Sequence, residues 1–272
     1  MPKSATHNPI WLIGSQMIGT LSYLGGMAWL LIASLRETFR GFFLPGVKFP
    51  WRSFAEQIVR VGVRSTCIVF IIQLFLGVIL ALQMAPPLSE WGQEAMIANI
   101  IGEAGFRMLA PIITAIVISG YGGASMAAEL GTMVVAEEIE AMEAIAMDPI
   151  RLLVVPRVWA TFWSMLLLTV LADMMIALGG YIAARIVLDP PVWLKYWENM
   201  QAQLTKMDFY TGLIQAGVFG LLISLIACHS GLSVRGGAEG VGKATTRTVV
   251  YSIFAIVAAA VVFTILFYVY GI

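Results

Sequence analysis

The sequence predicts an all-α, polytopic membrane protein, and three observations carry that prediction. The 272 residues are 60% hydrophobic and only 12% charged, with a mean hydropathy of +0.88. Apolar runs long enough to cross a hydrocarbon core of about 30 Å, which takes roughly 20 helical residues, recur along nearly the whole chain. These runs are continuous rather than alternating. They therefore specify helices, which satisfy every backbone group internally, and not the strands of an outer-membrane barrel.

Taken in order, residues 10–35 form a charge-free segment, IWLIGSQMIGTLSYLGGMAWLLIASL. It is long enough to span, yet its internal glycines and Trp11, Tyr23 and Trp29 also suit a helix lying at the membrane interface. It is too long, and its flank with Lys3 too weakly basic, for a cleaved signal. Five further runs follow at about 66–88, 106–127, 155–187, 209–232 and 248–270. The basic residues orient them. Seven Lys and Arg lie between Lys3 and Arg64, two in 129–157 and three in 233–247, twelve on one side. Arg107, Arg185, Lys195 and Lys206 are left for the other side. Twelve against four puts the loops at 129–149 and 233–247 in the cytoplasm.

That placement sharpens a question. Six of the sixteen carboxylates sit in AELGTMVVAEEIEAMEAIAMDP, residues 128–149. Drawn as one helix at about 100° per residue, Val134, Val135, Ile139, Met142, Ile145 and Ala146 share one side, and Glu137, Glu140 and Glu143 the other. The same wheel puts Glu138 among the apolar residues, where an ionised carboxylate is costly without a partner. Asp148 and Pro149 then end the helix. A solvated surface helix is the plain reading; Glu138 on the apolar side points instead to a helix docked in another protein's groove.

Other features carry less. The net charge is zero, and basic residues beside spans orient the protein, so nothing points to a nucleic-acid partner. GAEGVGKA, Gly237–Ala244, nearly spells a P-loop, but Ala244 cannot bind magnesium and the stretch joins two membrane helices. Its plain reading is a Gly-rich cytoplasmic turn; the preferred one is a contact surface for a partner protein, through Arg235, Lys243 and Arg247. Cys228 and His229 point to different faces with no third ligand near, so a metal site is not expected, and neither is a disulfide to Cys67. Asp173, in the middle of a span, should face protein or water, either as a polar hinge or gating group or bonded to a neighbouring backbone. The small residues Gly120, Gly122, Gly123, Ala124 and Ser125 suit close helix packing. A self-contained secondary transporter or channel would show a repeat with matched intramembrane charges, and no repeat or catalytic dyad is evident.

The run GGASMAAELGTMVVAEEIEAMEAIAMDPIRLLVVPRVWA, Gly122–Ala160, resembles the signature of the MlaE permease family of lipid ABC transporters, including the permeases encoded with mammalian-cell-entry (MCE) proteins of bacteria. LLLTVLADMMIALGG, Leu166–Gly180, and GLSVRGGAEGVGKATTRTVVYSI, Gly231–Ile253, resemble it too. The resemblance implies one permease domain over 1–272, with 10–45 as an interfacial helix, five transmembrane helices, and 129–149 as the region of a cytoplasmic coupling helix. It further implies a homodimer in the bacterial inner membrane, moving phospholipid or a related lipid. The partners would be separate cytoplasmic ATPase subunits that bind ATP and Mg, an external MCE protein, hexameric in the family, and a STAS-domain protein on the ATPase. No cofactor is implied in this chain. Glu137, Glu138, Ile139, Glu140, Met142 and Glu143 would enter the ATPase groove, and Arg235, Lys243 and Arg247 would make a second contact. Leu82, Gln83, Met108 and Leu109 match positions around the family's lipid cavity. The chain departs from the family pattern at Met108, Ala110 and Tyr121, which stand where a glutamate, a glycine and an arginine are usual.

Overall fold

The computed structural model describes residues 9–43 and 49–270; Lys3, Ser4, Ile272 and the expected end of the interfacial segment at 44–45 lie outside them. The described chain is helical throughout. Helix α1 (Pro9–Phe43) and α2 (Trp51–Val61) precede the first long span, α3 (Thr66–Glu90). The next span is assembled from α4 (Met96–Ala104), α5 (Ala110–Ile118) and α6 (Ala124–Val135), joined by π-helical turns at 105–109 and 119–123. A short α7 (Glu138–Ala144) leads through a third π turn at 150–154 into α8 (Val155–Val187). Two short helices, α9 (Pro190–Leu194) and α10 (Tyr196–Gln203), cross outside before α11 (Lys206–Leu232) and α12 (Gly237–Tyr270).

The π turns have covalent causes. Pro111 and Pro156 stand just after two of them; proline lacks the N–H for the carbonyl four residues back and its ring collides with that carbonyl. Widening the preceding turn relieves both problems. The remaining one, at 119–123, coincides with SGYGG, where glycine loosens the local backbone.

Packing is closest between α3 and α8. A Cβ added at Gly77 would stand 2.0 Å from the Ile176 carbonyl oxygen, and one at Gly179 2.0 Å from that of Leu74. Lipid offers no hydrophobic drive for helix association, so backbone approach at small residues supplies the contact. Gly122 and Gly123 pack similarly, against Val61 at 3.1 Å and Ile223 at 3.2 Å, whereas Gly120 meets nothing within 4 Å. The expected packing run is therefore only partly one. Helix α11 is the most enclosed span, surrounded by α5, α6, α8 and α12. Helix α12 buries a single stripe, Ala244, Thr248, Ser252, Ile256 and Ala260 at a spacing of four, and leaves Phe254, Val257, Val261 and Ile265 exposed. Outside, Tyr196 donates to the Ala177 carbonyl at 3.2 Å and closes the α9–α10 crossing over α8.

Two sequence expectations change. The supposed turn at 237–244 is the start of α12, after Gly236 and Gly237 take φ of +90° and +70°. Gly240 is there for close approach, since a Cβ would lie 2.1 Å from the Arg235 carbonyl oxygen. The single helix drawn through 134–146 is two: Glu137 is left-handed at φ 57° and ends α6, so Val134 and Val135 belong to the span, and Glu138 is exposed rather than set on a buried face.

Six helical stretches, α1 among them, are long and apolar enough to cross a membrane. The contacts of α1 separate spanning from lying at the interface. Tyr23 meets Ser230 near the cytoplasmic end of α11, and Thr38 accepts from Trp159 near the cytoplasmic end of α8. Gly220 of α11 lies against Thr161 and Phe162, which sets Trp159 at about the level of residues 222–223. Between Tyr23 and Thr38 the helix thus advances about 22 Å but changes depth by only about 11 Å, at 1.5 Å per residue. It lies across the bundle's cytoplasmic end. In a variant lacking Cys67 and Cys228, a cysteine at Ser4 should react with an impermeant thiol reagent only after the membrane is opened, and one placed after Ile272 should react in intact cells. Labelling of the Ser4 probe in intact cells would overturn the five-span arrangement.

Candidate functional site

On the cytoplasmic side α6 passes through Ala136 and Glu137 into α7. Glu138 and Glu140 occupy the first turn of α7, where carboxylates meet the positive end of the helix dipole. Ile139 and Met142 are half-buried, three apart on the inner side, while Glu137, Glu138, Glu140 and Glu143 are exposed. None of these four carboxylates forms an ion pair among the described residues. Ile145 and Met147 are also exposed, at 66% and 49%. Ala146 takes φ 60°, so the only two non-glycine residues with positive φ among those described bracket this helix. Such conformations cost energy in L-residues and concentrate at functional elements. Asp148 does not end α7; its Oδ1 accepts from the Ile150 N–H at 2.9 Å and starts the next segment.

The sixth carboxylate of the acidic stretch, Glu129, has a different fate. It pairs with Arg60 of α2 and, at 3.0 Å, with Arg157 of α8, whose side chain is 4% exposed and also donates to the Leu153 carbonyl. Three helices meet in this ion network beside α7. Sequence reasoning missed it. The signal for the Glu129–Arg157 half was present, because charges at the facing ends of two runs joined by a short connection are brought together, but nothing local points to Arg60.

Arg235, Lys243 and Arg247 converge, but on α1. The Arg247 guanidinium lies over the rings of Tyr23 at 5.3 Å and Tyr251 at 4.9 Å. Lys243 pairs with Glu239 at 2.6 Å. With Tyr23, His229 and Ser233 they surround a groove of about 470 Å³. His229 packs its ring edge-on to Tyr23, centroids 4.6 Å apart, and over Gly26. Among the described residues no cluster could hold a metal ion.

Toward the other end of the bundle, Met108 and Leu109 line a groove of about 690 Å³ between the 105–109 turn, α11 and α12. Arg107 sits in it 3.6 Å from Asp208 and 5.2 Å over Phe267. Glu103, Gln215 and Tyr268 supply further polar lining, and the buried Gln215 leaves its Oε1 without a partner. Glu103, one turn before Arg107, places a carboxylate near the position where Met108 replaces the usual one. Its spacing of four from Arg107 was the available signal. Leu82 and Gln83 are exposed on α3 and do not line this groove. Asp173 is 3% exposed in α8, and its Oδ1 accepts no hydrogen bond, so the expected backbone partner is not found for that oxygen.

The family model "Permease MlaE" matches residues 54–266. A "Probable ABC transporter permease protein" of Rickettsia felis is 36% identical over 213 residues, covering 78% of this chain and 82% of its own length. The chloroplastic TRIGALACTOSYLDIACYLGLYCEROL 1 protein of Arabidopsis thaliana is 31% identical over 224 residues, 81% of this chain and 63% of its own. The "Intermembrane phospholipid transport system permease protein MlaE" of Haemophilus influenzae is 29% identical over 251 residues, 90% of this chain and 92% of its own. With a match that runs from α2 almost to the end of α12 and takes in both the α7 region and the Met108 groove, this chain belongs to the MlaE permease family.

Proposed function

We propose that this chain is the permease subunit of an ABC transporter in a bacterial inner membrane, moving phospholipid or a related lipid between that membrane and an external MCE protein. The observation that carries the reading is α7, a seven-residue helix with unpaired carboxylates, bracketed by two strained residues and continuous with a span. A helix so exposed, on the side rich in Lys and Arg, suits the groove of an ATPase that binds ATP and Mg. Movement there passes into α6 directly and into α2 and α8 through Glu129. A homodimer would cover the exposed apolar face of α12; a hexameric MCE ring outside and a STAS-domain protein on the ATPase complete the assembly. The catalysis of ATP hydrolysis belongs to the partner, and the lipid path to this chain.

The lipid enters the Met108 groove, whose apolar wall and flexible methionine suit disordered acyl chains, while Arg107, Glu103 and Gln215 meet a polar head. When detergent washing is done before irradiation, a photo-crosslinking residue at Met108 should still capture lipid, whereas one at the exposed Leu167 of α8 should capture none. Equal capture at both positions rejects the groove as the lipid site.

A further inference from the structure

We propose that the cytoplasmic groove between α1 and the α11–α12 connection binds the phosphodiester head of an anionic phospholipid from the inner leaflet. Arg235, Lys243 and Arg247 all line it, and no acidic side chain does. Glu239 pairs with Lys243, and the two arginines form no ion pair among the described residues. Hydroxyl groups from Ser22 and Ser233 border the same space and can donate to phosphate oxygens.

Depth selects the ligand. The apolar run of α12 begins at Val249, so Arg247 and Lys243 stand about half a turn and nearly two turns below the hydrocarbon, at the level of the head groups. Tyr23 and Tyr251 flank Arg247 as interfacial aromatics do. Helix α1 lies across this end of the bundle and presents exposed Ile18, Leu21 and Leu24 beside the groove, a surface along which the acyl chains of the same lipid can run. Basic pockets between helices on the cytoplasmic side recognise anionic heads in this way. The guanidinium of Arg247 rests over the rings of Tyr23 and Tyr251 and also lines the groove, so part of its ordering cost is already met before a head group binds.

The proposal requires only that the chain sits in a membrane; it does not depend on which lipid is transported. The competing use of the same cations is a second contact with the ATPase. Both are separated by native mass spectrometry of the full-length protein, purified with the subunits that accompany it, titrated with phosphatidylglycerol or phosphatidylcholine. The unaltered protein should prefer phosphatidylglycerol. The double variant R235Q/K243Q should weaken that binding by about tenfold and leave phosphatidylcholine unchanged. Ser233→Asp, which brings a carboxylate to the rim, should act in the same direction without removing a cation. Unchanged phosphatidylglycerol binding in both variants overturns the site, as does loss of an ATPase subunit with lipid binding intact. Displacement of phosphatidylglycerol by millimolar inorganic phosphate would reject the lipid head in favour of a soluble phosphate.

Discussion

Replacing Glu129 by alanine is expected to destabilise the folded protein by about 3 kcal/mol, the low end of the range for breaking a buried ion pair, because Glu129 itself is partly exposed. The side chain left behind decides the magnitude. Arg157 is 4% exposed, its Nε has no partner, and apart from the Leu153 carbonyl its guanidinium depends on Glu129. A buried guanidinium cannot shed its proton, so it must remain charged or drag water into the helix junction. The midpoint of denaturant-induced unfolding in detergent measures the loss. A second substitution, Arg157→Leu, should recover much of it, since the only partner then left unpaired is Arg60, whose side chain is 39% exposed and can be solvated by water. A single variant as stable as the parent would show that the network contributes nothing. Transport should fall by more than stability alone explains, because the same pairing ties α2, α6 and α8 together at the base of α7.

Charge reversal at Glu138 is expected to have the largest functional effect. Glu138 is exposed in the first turn of α7, next to the left-handed Glu137, and forms no ion pair among the described residues. Glu138→Lys therefore leaves the permease inserted and folded, with a minor loss from placing a cation at a helix N-terminus. At an interface with a cationic ATPase groove the same change turns an attraction into a repulsion that costs several kcal/mol. Lipid-stimulated ATP hydrolysis should be abolished, or the ATPase lost during purification. Normal association and turnover in this variant would remove α7 from its assigned role.

The span pattern was legible in the sequence because hydrocarbon imposes it residue by residue. The runs at 155–187 and 209–232 reappear as α8 and α11 nearly to the residue, since a helix in lipid needs continuous apolar character and nothing else. Legibility failed where polar or glycine-rich sequence continues a helix into water. The stretch at 237–244 has the composition of a turn, yet α12 begins there because Gly240 must pass close to the Arg235 carbonyl. The wheel through 134–146 assumed one axis, and a single left-handed residue at Glu137 reset it. Exposed glutamates then replaced the buried one that the wheel required, and the proposal that α7 awaits a partner rests on its unpaired charges instead.

Composition and run length thus determined by themselves that this is a helical membrane protein, and the placement of twelve basic residues gives the expectation of which loops face the cytoplasm. The signature from Gly122 to Ala160 pointed to the family. Tertiary structure alone decided that Glu129 is consumed internally by Arg60 and Arg157, that Arg247 lies over the rings of two tyrosines, and that α1 crosses the bundle's end at a shallow angle. It also decided that Met108 shares a groove with Glu103 and Gln215 while Leu82 does not. The physical reason is one of range. Transfer into lipid acts on each residue independently and can be read along the chain, whereas an ion pair or a groove wall depends on which helices touch, and that is set by backbone approach at glycines such as Gly77 and Gly179, distant in sequence from the groups they bring together.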